Sequence, residues 1–240
     1  MGAIKDCSAR GKKSGKMNVT WLGHSGFLAQ MGGSTILIDP WLDPHPRQLE
    51  RLVPPAIAPN QITKCDLILI THEHFDHCDP YSVGVIQSRT LAQVVAPEET
   101  LALLDVPARS RVPVEEGDTF NLMGVQIRVT PAKHPQSTYP VGYLVSAGGE
   151  TLYHAGDTYD FYDLANIDVK TALVPIGGTF TMDVIGAVTS LKRMRAKNAI
   201  PMHYNTFDKI KANADEFAKR VSASTKTEPV VMKVGDTVTL

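Results

Sequence analysis

The amino-acid sequence predicts one α/β domain in which two β-sheets pack together beneath outer helices. Short β-like runs, divided by glycine, serine or proline, recur from Met17 onward. Two segments near the end of the chain repeat apolar residues at helical spacing. With 240 residues, 43% hydrophobic and 20% charged, the chain is long enough to bury a sizeable core. Strands in this order, followed by helices, are typical of a layered α/β domain.

The first half of the chain begins as a meander of short strands. The predicted strands here are residues 18–23, 26–30, 34–39 and 66–71. The last of them, "DLILIT", is a continuous apolar run, which indicates a strand covered on both faces. Residues 40–60 hold six of the sixteen prolines and are therefore predicted to form an irregular loop. A helix is expected at Tyr81–Arg89.

The second half alternates further strands with two helices. The predicted strands are residues 93–97, 125–132, 141–146, 151–156, 171–178, 198–203 and 229–234. Apolar residues at intervals of three or four predict one helix from Val184 to Met194 and another from Ile210 to Val221. No stretch has the composition of an interdomain linker, so a single domain over 17–240 is the prediction.

The composition excludes several classes of protein. Residues 1–16 carry five basic residues and one acid without an apolar segment, and they are predicted to be a disordered leader. A net charge of −1 gives no reason to expect a nucleic-acid partner, and no apolar run approaches the ~18 residues of an integral membrane segment. Three cysteines without a CxxC pair argue against a disulfide framework, so we expect a cytoplasmic protein.

A dense group of metal-ligand residue types follows the buried strand at 66–71. His72, His74, Asp76 and His77 lie within six consecutive positions. In an extended chain, side chains two residues apart point to the same side, so His72 and His74 converge on one point. After a turn, Asp76 and His77 can face a second point nearby. Imidazole and carboxylate are ligands that divalent metals prefer, which predicts a metal site; a solvated turn is the alternative interpretation.

Three more candidate ligands come directly after predicted strands. His134 follows the strand at 125–132, Asp157 follows "TLYHAG", and His203 follows "NAIPM". Each of them alone would more often be a turn residue. Because side chains at strand ends can gather at one edge of a sheet, the three together with the histidine-rich group predict a single site.

These motifs resemble the metallo-β-lactamase superfamily of binuclear metal hydrolases. The matching pieces are "THEHFDH", "PAKHPQ", "YHAGDT" and "IPMHYN". "WLGHSGF", "ILIDP" and "VPIGGTFTM" more closely resemble a branch of small metal-dependent hydrolases with mostly unassigned substrates. Ascorbate-phosphate lactonases and phospholipase-D-type enzymes acting on N-acyl ethanolamine phospholipids are more distant relatives. The resemblance covers Met17 to Leu240 and implies a four-layer αβ/βα sandwich, with metals at one edge of the two sheets.

The resemblance also implies a role for each candidate residue. The first metal would be held by His72, His74 and His134, the second by Asp76, His77 and His203, and Asp157 would bridge both. Five histidines and two aspartates favour two zinc ions, with manganese, iron or nickel as alternatives.

Several residues that are not predicted to bind metal have possible roles around the site. Asp39, at a strand end, is expected to orient a ligand imidazole. Asp76 and His24 are the two catalytic candidates. His24, in the motif "GHS", is expected close to the metals, where it would contact the substrate or support a ligand; a structural role is the alternative. His154 is expected near the site without binding metal. Glu73 stands where this branch often has a small residue, and its side chain is expected to point away from the metals.

The implied activity is hydrolysis of a small molecule. A metal-bridging hydroxide would attack an ester-like bond of a lactone, carboxyl ester or phosphodiester. Two alternatives stay open, namely a phosphodiesterase or nuclease acting on nucleic acid and a non-catalytic metal-binding module. The loop at 40–60 carries apolar residues such as Trp41, Leu42 and Leu49. It is predicted to cover the substrate, with capping of the core or a subunit contact as the alternatives.

Overall fold

The computed structural model describes residues 15–240 as two seven-stranded sheets with helices on their outer faces. Most of the predicted leader therefore lies outside the described residues. The strands are β1 Asn18–Gly23, β2 Gly26–Met31, β3 Ser34–Ile38, β4 Leu67–Leu69, β5 Gln93–Ala96, β6 Arg111–Pro113, β7 Thr119–Leu122, β8 Val125–Pro131, β9 Val141–Ala147, β10 Glu150–His154, β11 Asp168–Pro175, β12 Arg195–Met202, β13 Glu228–Pro229 and β14 Thr237–Thr239. The helices are α1 Pro80–Thr90, α2 Glu98–Leu101, α3 Val184–Arg193 and α4 Ala214–Ser224.

Each sheet has an antiparallel half and a parallel half. The first sheet has the order β14-β1-β2-β3-β4-β5-β6, in which β1 to β3 form an antiparallel meander and β3 to β6 run parallel. The second has the order β13-β12-β11-β10-β9-β8-β7, antiparallel from β7 to β10 and parallel from β10 to β13. Parallel neighbours need crossover connections, and α1, α3 and α4 lie in such crossovers.

Two apolar clusters hold these layers together. The larger cluster joins the facing sides of the sheets and extends under α3 and α4, with Phe27, Tyr143 and Phe217 fully buried. The smaller cluster packs α1 against the outer face of the first sheet, through Val83 and Ile86. The prediction of a four-layer αβ/βα sandwich is confirmed by this architecture. None of the helices in the described range has the length and apolar content needed to cross a membrane.

The late strand predicted at 229–234 is wrong for most of its length. Only Pro229, with Glu228 before it, belongs to a strand, and residues 230–236 carry the chain from the second sheet back to the first. Proline has no amide N–H to donate to a sheet, which favours the end of the strand there. The chain then adds β14 to the edge of the first sheet, beside β1.

The helix predicted from Ile210 begins later than expected. Ile210 lies in a separate short turn, and α4 starts at Ala214. Asn213 caps α4, because its side-chain oxygen accepts from the amides of Asp215 and Glu216 and so satisfies donors that have no partner within the helix. The helical spacing of apolar residues begins before the N-terminus of α4 because Ile210 is buried although it is not part of the helix.

Candidate metal centre

Six strands end at the edge of the sandwich where the candidate residues gather. The residues that follow these ends are His24 after β1, Asp39 after β3, His72, His74, Asp76 and His77 after β4, His134 after β8, Asp157 after β10 and His203 after β12. The sheets also meet here directly, because the amide of His203 donates to the carbonyl of His24 at 3.1 Å. The structure therefore brings every predicted site residue to one edge.

Tight turns at the strand ends aim these side chains. His24, Asp39 and His203 have φ angles of 55°, 46° and 56°, in the left-handed region that residues with a side chain rarely adopt. Such backbone strain concentrates at functional sites. Gly156 allows the turn before Asp157, since its φ is +61° and a Cβ atom there would lie 2.7 Å from the carbonyl oxygen of Val141.

Three imidazoles form the first group of candidate ligands. His74 Nδ1 lies 3.1 Å from His72 Nε2 and 3.2 Å from His134 Nε2. His72 and His134 are buried, and His74 is half-buried. Burial and the nearby His77 hold the pKa of His72 well below its ordinary value, so this ring is neutral at neutral pH.

Hydrogen bonds at the opposite ring nitrogens decide which nitrogens face the centre of this group. His134 Nδ1 donates to the carbonyl of Phe180, and His74 Nε2 donates to the carbonyl of Gln136, both at 3.1 Å. A neutral imidazole that donates from one nitrogen carries a lone pair on the other. When both rings are neutral, His74 Nδ1 and His134 Nε2 therefore point lone pairs at the same place, which suits a cation and disfavours a direct hydrogen bond between these two atoms.

The same argument extends to His72 through Thr71. The Thr71 hydroxyl donates to Asp39 Oδ2 at 2.8 Å, so its oxygen is free to accept from His72 Nδ1 at 3.0 Å. His72 Nε2 then joins the two other lone pairs. Thr71 was not among the predicted site residues, although it immediately precedes the histidine-rich motif. The role of Thr71 depends on its hydrogen bond to Asp39, which lies 32 positions earlier in the chain. The spacing of residues within the motif therefore could not predict this role.

Four side chains form the second group, and their ligand atoms lie within 4.8 Å of one another. They are His24, Asp76, His77 and His203. Asp76 Oδ2 lies 3.1 Å from His24 Nε2 and 4.0 Å from His203 Nε2. His77 Nδ1 donates to Asp39 Oδ2 at 2.7 Å, which directs His77 Nε2 toward the cluster. Asp39 thus contacts a candidate ligand imidazole.

The Asp157 carboxylate lies between the two groups. Its Oδ1 is 3.2 Å from His77 Nε2, and its Oδ2 is 3.1 Å from His203 Nε2. On the side of the first group, Oδ2 lies 3.8 Å from His134 Nε2 and 4.0 Å from His72 Nε2. One carboxylate is therefore within 4.0 Å of imidazoles from both groups.

Unpaired buried atoms show that the donor set fits a cation. Asp157 Oδ1 and His77 Nε2 are buried and 3.2 Å apart, but their geometry is not that of a hydrogen bond, and neither atom has another partner among the described residues. Burial disfavours the charged form of His77, but the carboxylates of Asp157 and Asp39 outweigh it and hold the His77 pKa well above its ordinary value. A positive charge is thus favoured between these atoms, either as a proton or as a metal ion.

His154 provides an internal contrast to these rings. It is fully buried at the same edge, yet its Nε2 donates to the carbonyl of Ser25 at 2.9 Å and its Nδ1 accepts from the amide of Gly156 at 3.1 Å. Both nitrogens are occupied by the backbone, so His154 has no lone pair for a metal. The cluster of histidines and aspartates that is able to bind metal does not include it.

A pocket of about 490 Å³ opens beside the cluster. His74, Asp76 and His203 reach it, and residues 48–50 of the proline-rich loop form part of its wall. Trp41, at the start of the same loop, is 1% exposed, and the neighbouring Leu42 packs in the smaller apolar cluster. The first residues of the loop therefore cap the core, whereas its middle lines the pocket. A role of the loop in covering a substrate stays a prediction.

Comparison with known proteins identifies the family of this site. A model of the beta-lactamase superfamily domain matches residues 18–203, most of the chain. The chain belongs to the metallo-β-lactamase superfamily. This membership confirms the family suggested by the motifs of the sequence.

Relatives within this superfamily agree on the type of activity. The chain is 40% identical over 214 residues to a UPF0173 metal-dependent hydrolase of Carboxydothermus hydrogenoformans, covering 84% of this chain and 90% of the relative. It is 35% identical over 228 residues to a UPF0173 metal-dependent hydrolase of Pyrobaculum aerophilum, covering 92% and 98%. Igni18, a metallo hydrolase of Ignicoccus hospitalis, has a similar structure, with a TM-score of 0.78, 32% identity and coverage of 94% and 98%. The chain is a metal-dependent hydrolase of the metallo-β-lactamase fold, as predicted.

Proposed function

We propose that this metal-dependent hydrolase binds two divalent ions and cleaves an ester-like bond of a small molecule. His72, His74 and His134 would hold one ion, and Asp76, His77 and His203 would hold the other. The observation that carries the proposal is the position of Asp157, within 4.0 Å of imidazoles on both sides, where one carboxylate can serve two ions.

Zinc is the ion that we propose for both positions. Five imidazoles and two carboxylates are the nitrogen and oxygen donors that zinc binds. When bound, a pair of such ions lowers the pKa of a water molecule and polarises the bond under attack. Manganese, iron and nickel are the other metals to be offered in the experiments below.

The residues around the ligands hold them in place. Asp39 accepts from His77 Nδ1 and, through Thr71, supports His72, so one buried carboxylate sets the orientation of a ring on each side of Asp157. Partners of this kind fix the tautomer and the direction of a ligand imidazole.

His24 is proposed to position Asp76. Its Nε2 lies 3.1 Å from Asp76 Oδ2, and its Nδ1 lies 3.0 Å from the Thr206 hydroxyl. Burial lowers the pKa of His24 to about 3, so the ring is neutral and can donate from Nε2 while accepting from Thr206. Because His24 is buried and does not line the pocket, it is a positioning residue in this proposal and does not contact the substrate.

No protein nucleophile is needed for this chemistry. Cys78 lies next to His77 in the sequence, but it is buried outside the pocket, and burial raises the pKa of its thiol to about 12. The thiolate, which is the nucleophilic form, is therefore rare at neutral pH.

A small-molecule substrate is favoured over nucleic acid by the rim of the pocket. Of the described residues that line it, Lys209 is the one lysine or arginine, while Glu50 and Asp208 are acidic. Binding of nucleic acid depends on several cationic contacts to phosphates.

Metal analysis combined with a substrate panel tests the proposal. The purified protein, reconstituted with zinc, manganese, iron or nickel, should bind close to two equivalents of metal by elemental mass spectrometry. It should then hydrolyse at least one class among carboxyl esters, lactones and phosphodiesters. Metal content near zero with every ion offered, or a loaded protein inactive on all three classes, would contradict it.

A further inference from the structure

The walls of the pocket are apolar where they approach the candidate ligands. Phe75, Phe180, Phe207 and Leu49 all line it. Phe75 lies in the sequence between His74 and Asp76, and the Phe180 carbonyl accepts from His134 Nδ1. An apolar part of a bound molecule would therefore lie directly beside the bond presented to the metal centre.

The aromatic walls are held by their neighbours. The Phe75 ring packs edge-on against Trp41, with centroids 5.8 Å apart, and Trp41 is buried. The Phe207 ring lies 5.8 Å from the ring of His24 and 6.4 Å from that of His203. Because side chains of the protein hold these rings in place, the apolar walls need little ordering when a molecule binds, which lowers the entropic cost of binding.

The proline-rich loop closes the pocket on the side of Leu49. Arg51 anchors this part of the loop, because its guanidinium donates to the carbonyls of Trp41 at 2.7 Å and Val53 at 2.8 Å and stacks over the Trp41 ring at 3.9 Å. The amide of Leu52 donates to the carbonyl of Thr206 at 2.8 Å, which ties the loop to the segment that carries Phe207.

The charged groups at the rim select neither anions nor cations. Asp208 is ion-paired with Lys211 at 2.7 Å, and Glu50 and Lys209 have opposite charges. A site built for an anionic substrate usually presents a guanidinium fork or several cationic donors. The volume of about 490 Å³ suits a small ligand.

We infer that the substrate is a small molecule without net charge that carries an aromatic or branched apolar group next to the bond that is cleaved. This inference rests on the proposed function, because it places that bond at the metal centre. Of the four apolar side chains, Phe75 packs against Trp41, and Phe207 packs against His24 and His203. Phe180 and Leu49 are therefore the residues to vary as determinants of specificity.

A matched pair of metal-chelating probes distinguishes the affinity contributed by the apolar walls from the affinity contributed by the metal ions. Acetohydroxamic acid and 2-naphthohydroxamic acid chelate divalent ions through the same two oxygens and differ in the apolar group. Binding to the zinc-loaded protein is measured by isothermal titration calorimetry, which does not depend on catalysis. The naphthyl compound should bind about tenfold tighter or more, because its ring removes apolar surface from water against the walls.

Substitutions in the pocket wall then show which residues produce the preference for the naphthyl compound. Phe180→Ala and, separately, Leu49→Ser should each reduce the affinity ratio of the two probes by about threefold or more, while acetohydroxamic acid keeps its affinity. Tyr162→Ala is the control, because it removes an aromatic ring that is 81% exposed and does not line the pocket. Leu49→Ser changes a loop side chain outside both apolar clusters, so the test survives if Phe180→Ala folds poorly.

Three outcomes would overturn the inference. Equal affinities for the two probes in the unmodified protein would show that the walls do not bind an apolar group. Tighter binding of succinic acid monohydroxamate, which carries a carboxylate, than of the naphthyl compound would show selection for charge. Failure of both members of the pair to bind to protein shown to hold zinc would instead show that the ions are closed to ligands, which refutes the catalytic site of the proposed function and the inference with it.

Discussion

Replacing Asp39 by asparagine should weaken metal binding although Asp39 is not a candidate ligand. The fully buried carboxylate accepts three hydrogen bonds, from the Thr71 amide at 2.8 Å, the Thr71 hydroxyl at 2.8 Å and His77 Nδ1 at 2.7 Å. Asparagine has nearly the same shape but only one accepting oxygen. Whichever way the amide is turned, its NH₂ group faces a donor that the carboxylate had satisfied.

The magnitude follows from the bond that is lost. If the NH₂ group faces His77 Nδ1, the ring is no longer held in the tautomer that directs Nε2 toward Asp157. If it faces the Thr71 amide instead, His77 Nδ1 keeps an acceptor, but a neutral oxygen that holds the ring more weakly than a carboxylate does. A hydrogen bond to a charged group contributes about 1.5–3 kcal/mol. Loss of a partner that orients a metal ligand typically weakens metal affinity by about 10–100-fold, which corresponds to about 1.4–2.8 kcal/mol. The two ranges agree, so we expect a loss of zinc affinity within 10–100-fold.

Competition with a chromophoric chelator measures this loss, and Asp66→Asn supplies the control. Asp66 immediately precedes β4, at the end of the strand away from the cluster, and its carboxylate accepts from the amide of Thr35 at 2.7 Å. The charge change is the same, but no candidate ligand is affected. If folded Asp39→Asn protein bound zinc within about twofold of the unmodified protein, or if Asp66→Asn lost as much affinity, the orienting role of Asp39 would be refuted.

Metal content, thermal stability, thiol reactivity and the free energy of unfolding each test a different part of the structure. Asp157→Ala should lose most of its bound metal by elemental analysis, whereas Glu73→Ala should keep it, because the Glu73 carboxylate is hydrogen-bonded outside the cluster; equal losses would contradict the bridging role. Removing metal with a chelator should lower the Tm, and adding zinc back should restore it. An ion present at 100 times its Kd adds about 2.7 kcal/mol to the free energy of unfolding. A Tm that is the same with and without metal would contradict the site. Cys65 and Cys78 should resist iodoacetamide at pH 8 in the folded protein, because burial raises the pKa of each thiol to about 12; peptide mapping that shows prompt labelling would refute this. Trp41→Ala should reduce the free energy of unfolding by about 3–5 kcal/mol in urea titrations, because the ring is buried at the start of the loop; a negligible change would show that this end of the loop does not cap the core.

The sequence by itself determined the class of fold and most of the strands. Continuous apolar runs such as "DLILIT" form buried parallel strands because both faces of the sheet are covered. Strands at sheet edges were harder to predict. Residues 111–113 and 119–122 form β6 and β7, yet they are short and only partly buried, so they carry little periodic signal. The strand predicted at 229–234 was overestimated because its apolar residues pack against the core from an irregular segment.

The sequence also determined which residues to consider as metal ligands. One motif after a buried strand contains four residues of metal-ligand type, namely His72, His74, Asp76 and His77. Burying such polar groups is costly unless they are paired or bind a metal ion. His134, Asp157 and His203 were found because each follows a strand, and the ends of strands that run the same way gather at one edge.

Only the tertiary structure decided how these residues are paired and supported. His77 meets Asp39 across 38 positions of the chain, and His24 meets Asp76 across 52. The pocket brings Leu49 and Phe180 together from loops of different sheets. Such contacts depend on the register of strands and on turns with unusual backbone angles. Local spacing encodes which side of a strand a residue faces, but it does not encode which distant side chain comes within hydrogen-bonding distance of it.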